Sequence, residues 1–215
     1  MNEMGITTHL FPDEVTNICN TATEPNDSPG PDGLDDVDRF ARFIRSSKAP
    51  ARDSQWAETP PAKRGSELFD KIGCATCHVR TLTTAPAGTK VNGGTFTIPA
   101  ALGRKTFYPF SDFLLHNIGS GDGIAVPMQE HYGQKMYQIK WKNFSPDRFQ
   151  AARDKIRTAP LWGVRLRNRL MHDGESLTLR DAILRHSGEA AEVTRRFGRL
   201  SKGDQADILE FLSSL

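Results

Sequence analysis

Apolar residues recur at helical spacing in two parts of the chain, and the first of these parts predicts one long helix. The residues that share a helix face there are Leu34, Val37, Phe40, Ala41 and Ile44. Their spacing predicts a helix over about residues 34–48. A second, shorter helix is predicted over about residues 63–72, where Gly73 follows as a typical C-terminal stop.

Two more helices are predicted near the C-terminus, because Thr178-x-x-Asp181 and Ser201-x-x-Asp204 both have the form of a capping box before an apolar run. The second run contains Ile208, Leu209, Phe211, Leu212 and Leu215. The first contains Leu179, Ala182, Ile183 and His186, which share one helix face. We expect that face to be buried, so that the His186 imidazole points inward either as a core histidine bonded to a carbonyl or as a metal ligand.

The rest of the chain carries weaker patterns. Residues 1–33 are predicted to be irregular, and the segment around Trp56 lies between prolines as an extended linker. Short strands are predicted at residues 90–91 and 95–98, and a helical turn over residues 111–118. Helices joined by long irregular loops predict a mostly α fold.

The charge is unevenly divided along the chain. The 215 residues carry 28 lysines and arginines against 26 acids, a formal net charge of +2. Residues 1–60 hold eleven acids and five bases, a net of −6, so residues 61–215 carry +8. We therefore predict an acidic N-terminal extension with one helix over residues 1–60 and a separate domain over residues 61–215.

Composition also excludes several classes of protein. The nearly balanced charge, with no aromatic residues interleaved among the bases, argues against nucleic-acid binding. No stretch approaches the roughly 18 apolar residues of a membrane-spanning helix. Three cysteines are too few for a disulfide scaffold. The first residues, from Met1 to Met4, have neither the basic nor the apolar region of a signal peptide.

Cys74-Ala75-Thr76-Cys77-His78 carries the clearest chemistry, because it is the attachment sequence of c-type haem. Two thiols three residues apart on one turn can both form thioethers with the haem vinyl groups. His78 then lies under the iron and can supply a nitrogen ligand. The motif therefore predicts one covalently attached haem c, and Cys19 is left over.

Two other kinds of site use the same Cys-x-x-Cys spacing. A redox disulfide of thioredoxin type belongs in a βαβ context, which the pattern does not predict. A closed zinc site needs two further ligands, and the sequence has scattered histidines in place of a second cysteine pair. Redox thiols and zinc remain as alternatives to the favoured haem.

Spacing alone does not choose a second iron ligand. The candidates are Met128, Met136, Met171, His116, His131, His172 and His186. A partly buried propionate needs a cationic partner, and Arg157 is the candidate because it directly precedes the apolar turn 158–163. A solvated basic face is the alternative for the stretch 153–169. Aspartates and carbonyl-rich turns would also permit a bound Ca²⁺.

Several segments together resemble the bacterial di-haem c-type oxidoreductases, which are relatives of the di-haem cytochrome c peroxidases and are sometimes named thiol oxidoreductases. The segments are Gly65–His78, Tyr108–His116, Arg157–Gly163, Leu170–Gly174, Glu175–Ala190 and, more weakly, Met4–Pro12. The resemblance covers nearly the whole chain. Members of the family carry two haem sites, whereas this sequence has one attachment motif and is similar to the C-terminal haem domain.

The resemblance implies a cytochrome c-like domain over residues 61–215 whose haem takes in and passes on electrons, while peroxide reacts at a different, N-terminal haem. It places the distal ligand at His186, with Met171 as runner-up. We therefore expect a single-electron carrier, with a peroxidase-like catalytic haem as the alternative. A redox partner protein or a second haem domain is expected as partner. Because haem is attached to such motifs outside the bacterial cytoplasmic membrane, a periplasmic or extracellular location is expected.

Overall fold

The computed structural model describes residues 30–34, 36–91, 94, 96–119 and 155–215. Within them the helices are α1 Asp36–Ser46, α2 Ser54–Ala57, α3 Pro60–Ile72, α4 Leu179–Arg185, α5 Ala191–Arg199 and α6 Lys202–Ser213. The strands are β1 Leu82–Thr83, β2 Lys90–Val91, β3 Phe96–Thr97, β4 Thr106–Phe107, β5 Leu115–His116 and β6 Ile156–Arg157. Helices, including short 3-10 turns, make up about 47% of the described residues. None of the described helices has the length and apolar character needed to cross a bilayer.

The strands form three two-stranded antiparallel pairs, β1 with β4, β2 with β3 and β5 with β6. In the last pair Leu115 lies opposite Arg157, and His116 lies opposite Ile156. This pair joins two stretches that are far apart in sequence. It therefore holds residues 115–116 against residues 156–157.

The helices α3 and α6 pack closely because Gly65 lets their backbones meet. A Cβ atom at Gly65 would lie 1.8 Å from the Asp207 carbonyl oxygen, far inside van der Waals contact. Beside this contact the Arg64 guanidinium donates two hydrogen bonds, of 2.7 and 3.0 Å, to the Asp207 carboxylate. The pairing also positions the Cys74–His78 motif, because α3 leads directly into it.

A single aromatic-rich core lies around this helix pair. Its buried members are Phe69, Ile72, Phe110, Val164, Leu170, Phe197, Ile208, Phe211, Leu212 and Leu215. The Phe69 ring lies 5.2 Å from that of Phe211 and 6.4 Å from that of Phe110, centroid to centroid and edge to face. Such edge-to-face contacts add stabilisation beyond the buried area itself.

The four longer helix predictions are confirmed as α1, α3, α4 and α6, apart from small shifts in their bounds. Both capping boxes act as N-caps, since Thr178 accepts a hydrogen bond from the Asp181 amide and Ser201 from the Asp204 amide. The predicted short strands are also present, as β2 and β3. In contrast to the burial expected of an apolar helix face, Phe40 of α1 is 66% exposed in the described structure.

Two local predictions are wrong. The segment around Trp56 forms the short helix α2 rather than an extended linker, because Asp53 caps it and the Trp56 indole donates to Glu210 of α6 at 2.7 Å. Residues 111–118 are extended rather than helical. The Ser111 and Asp112 amides donate to the Val79 and Cys77 carbonyls rather than within a helix. Phe113 also has a φ of +57°, which interrupts a right-handed helix.

Candidate functional site

The attachment motif lies directly after α3, and the sequence determines where that helix stops. Thr59 caps its start with Pro60 at the first helical position, and Gly73 ends it with a φ of +104°. The chain then enters one turn of 3-10 helix over Cys74–Thr76, and the His78 amide donates to the Cys74 carbonyl at 3.0 Å. Both thiols and the histidine are therefore presented on one compact turn.

Both thiols are in an environment that keeps them protonated. Burial raises the pKa of Cys74 to about 12, and burial also raises the pKa of Cys77. Redox-active and metal-binding cysteines are instead found where neighbouring charges or a helix N-terminus lower the pKa. The environment thus disfavours the redox-thiol alternative.

The ring of His78 has a fixed orientation and a fixed tautomer. Its Nδ1 lies 2.9 Å from the Phe110 carbonyl oxygen, to which it can only donate, so the neutral ring keeps a lone pair on Nε2. Burial lowers the pKa of His78 to about 4, although this hydrogen bond opposes the shift. Phe69 packs beside it with 6.2 Å between ring centroids. A neutral imidazole with one nitrogen held by a carbonyl is the usual form of a metal-ligating histidine.

His186 has the same arrangement at the end of a different helix. It is the C-cap of α4, and its Nδ1 donates to the Ala182 carbonyl at 2.6 Å, which again leaves the lone pair on Nε2. Burial lowers the pKa of His186, and His186 is close enough to His78 to lower the pKa of that ring as well. The helix face that carries it is half-buried against the core through Leu179, Ala182 and Ile183.

One extended stretch, residues 110–119, connects the surroundings of the two histidines, and we call it the bridging segment. At its start, Phe110 binds His78 and the Asp112 amide donates to the Cys77 carbonyl at 2.8 Å. At its end, the Ser187 amide donates to the Ile118 carbonyl at 2.8 Å, next to His186. One end of this stretch therefore contacts His78, and the other end contacts the residue that follows His186.

Cys77, Asp112 and His116 form the one group within the described residues whose ligand-type atoms all lie within 4.8 Å of one another. His116 is not free to bind a metal, since its Nε2 lies 2.8 Å from Asp112 and its Nδ1 lies 2.9 Å from Glu189. These hydrogen bonds, to Glu189 first, raise the pKa of His116. The group also suits Ca²⁺ poorly, because calcium selects oxygen ligands. Calcium stays a prediction.

The remaining sequence candidates belong to other elements of the described structure or lie outside the described residues. Arg157 is exposed on β6 beside the bridging segment, and its role toward a propionate stays a prediction. Met171 is half-buried with a φ of +65° in the turn that leads to Gly174. His172 is half-buried in the same turn. Met128, Met136, His131 and Cys19 lie outside the described residues.

Three contributors were not predicted from sequence: the Phe110 carbonyl, Asp112 and Glu189. A backbone carbonyl has no sequence pattern, and Phe110 can present its own only because the chain adopts a φ of +50° there. Asp112 and Glu189 are 77 positions apart in sequence, and both hydrogen-bond to the ring of His116. His116 itself was predicted only as a possible iron ligand.

The residues present fit a c-type haem. Two protonated thiols lie on the turn before His78, and His186, the C-cap of α4, is a second neutral imidazole whose Nε2 keeps a lone pair. This donor set is that expected for thioether attachment and axial nitrogen ligation.

Comparison with known proteins identifies one family over almost the entire chain. The model of a family described as "Di-haem oxidoreductase, putative peroxidase" matches residues 2–215. No curated protein matches the chain. A chain of Kuenenia stuttgartiensis hydrazine synthase, pressurized with 20 bar xenon, is similar with a TM-score of 0.46 and 20% identity over 83% of this chain. This chain spans 55% of that neighbour's length, and a likeness at this level carries no argument about function.

Proposed function

Because this chain belongs to the di-haem oxidoreductase family, we propose that it is a c-type cytochrome that transfers single electrons through one low-spin haem. Cys74 and Cys77 attach the haem covalently, with His78 as proximal and His186 as distal ligand. The observation that carries the proposal is a pair of neutral imidazoles. The Nδ1–H of His78 donates to the Phe110 carbonyl at 2.9 Å, and the Nδ1–H of His186 donates to the Ala182 carbonyl at 2.6 Å.

A bound haem would supply an iron that gains and loses one electron. The protein residues hold its ligands in place. The Phe110 and Ala182 carbonyls fix the orientations of the His78 and His186 rings and make each imidazole a more basic ligand for the iron. Phe69 and Phe110, both buried, keep water from the proximal side.

The proposal also includes the surroundings of the haem. Arg157 would pair with a propionate, and the protein would act in the periplasm or outside the cell, where haem is attached to such motifs. The family name implies two haems, and this sequence contains one attachment motif. A second haem domain or a separate redox protein would therefore exchange electrons with it.

A peroxidase-like catalytic haem is the second candidate, and the family description favours it. Peroxide reduction needs an open iron position and a nearby acid or base. The hydrogen bonding of His186 argues against an open site, because its Nδ1 donates to the Ala182 carbonyl and its Nε2 keeps a lone pair that could bind iron. Electron transfer is therefore the first candidate.

The reduced-minus-oxidised optical spectrum of the haem-loaded full chain tests the proposal. We expect low-spin wild-type protein, a high-spin spectrum with cyanide binding in His186→Ala, and an unchanged low-spin spectrum in Met171→Ala. Met171 is a suitable control because Ala is no more strained than Met at its positive φ. A folded His186→Ala variant that stays low-spin would overturn the ligand assignment, and a high-spin wild type would favour the peroxidase.

A further inference from the structure

The bridging segment carries a side-chain link in addition to its backbone hydrogen bonds. Asp112 Oδ2 lies 2.8 Å from His116 Nε2, and Glu189 Oε2 lies 2.9 Å from His116 Nδ1. The other Glu189 oxygen accepts the Asn117 amide at 3.0 Å. The link therefore runs from the start of the bridging segment to a residue three positions after His186.

The geometry determines the charge state of this link. A carboxylate only accepts hydrogen bonds, so both ring nitrogens of His116 must donate, which makes the ring an imidazolium between two carboxylates. Charge-assisted hydrogen bonds of this kind are about twice as strong as neutral ones. The inner pair is shielded from water, with the His116 side chain 20% and the Asp112 side chain 11% exposed.

The C-terminal end of the bridging segment packs closely against Ser187 and Gly188. A Cβ at Gly119 would lie 1.7 Å from Ser187 Oγ, and a Cβ at Gly188 would lie 2.5 Å from the Asn117 carbonyl oxygen. Both glycines also have positive φ, of +71° and +53°. Residues 187–189, which directly follow His186, are therefore packed closely against the bridging segment and link Glu189 to His186 through a short stretch of backbone.

We propose that His116 is a positioning residue that, through Asp112 and Glu189, holds His186 at a fixed distance from His78. We call this hydrogen-bonded link of Asp112, His116 and Glu189 the brace. This inference rests on the proposed function, since it assumes that His186 is the distal ligand. With haem bound, the brace would keep His186 in place as a ligand and so would make the iron resistant to added ligands.

Cyanide titration of the haem-loaded full chain tests the brace. We expect about a tenfold gain in cyanide affinity in His116→Ala and in Glu189→Ala, within the usual range for coupling between sites. Their double variant should gain no more than either single variant, because both remove the same link. The matched control is Glu192→Ala, a carboxylate on α5 that pairs with Arg196 on the same helix and should bind cyanide like the wild type.

A milder variant covers the case in which the alanine variants fail to fold. Glu189→Gln keeps an oxygen for the Asn117 amide but loses the charged acceptor, so we expect a smaller gain in cyanide affinity. If His186→Ala opens the iron while folded His116→Ala, Glu189→Ala and Glu189→Gln all resist cyanide like the wild type, the brace is wrong and the proposed function stands. If His186→Ala leaves the cyanide affinity unchanged, both the brace and the proposed function are wrong.

Discussion

Replacing Gly65 by alanine tests whether the close approach of α3 and α6 stabilises the fold. The added Cβ would lie 1.8 Å from the Asp207 carbonyl oxygen, against an ordinary contact of 3.4 Å or more. The clash is with backbone, so a side-chain rotation does not relieve it and the helices must separate by about 1.5 Å. Protein interiors yield little to such strain.

The magnitude follows from two opposing effects. Overpacking costs up to about 3 kcal/mol, and alanine regains about 1 kcal/mol of helix propensity over glycine. The net loss is about 2 kcal/mol in the free energy of unfolding. For a chain of this size, that loss lowers the melting temperature by about 4–8 °C.

Thermal unfolding followed by circular dichroism measures the effect, and Gly198 provides a matched control. Gly198 is an exposed position in α5 where an added Cβ would meet nothing within 4 Å. Gly198→Ala should therefore raise the melting temperature by about 2–4 °C through propensity alone. If Gly65→Ala melts at or above the wild type, the close approach of α3 and α6 is refuted.

Three further predictions concern the site and its supports. The double variant Cys74→Ser with Cys77→Ser should lose covalent haem, so acid–acetone extracts all colour and the mass falls by one haem; retained colour would contradict thioether attachment. Asp173→Asn should lower stability by less than about 1 kcal/mol at neutral pH, because the pair with Arg185 is partly exposed. Arg185 holds the pKa of Asp173 at about 2, below its ordinary 3.8. The difference in the free energy of unfolding between wild type and variant should therefore be fully present above pH 4 and disappear as the pH falls toward 2. A difference that persists in urea titrations at pH 2 would refute the pairing. Thr178→Ala should cost about 1 kcal/mol in urea unfolding through loss of the α4 cap, and an unchanged midpoint would show that the cap contributes nothing.

The local features of this protein were predictable because each depends on residues that are close in sequence. The capping boxes before α4 and α6, the helix ending at Gly73 and the attachment motif all follow from interactions within one or two turns. The resemblance carried by several segments agrees with the family match over residues 2–215. The ligand role of His78 and His186 stays a prediction.

The tertiary structure decided which groups surround those residues. Residues 111–118 have apolar residues compatible with a helical turn, yet the Ser111 and Asp112 amides donate to the Val79 and Cys77 carbonyls, which keeps the segment extended. Nothing local distinguishes His116 from His186 as a candidate ligand. Tertiary contacts distinguish them, because they place His116 between two carboxylates and leave a lone pair on His186 Nε2. Hydrogen-bond partners that are distant in sequence determine the protonation and availability of a side chain, and sequence periodicity does not contain that information.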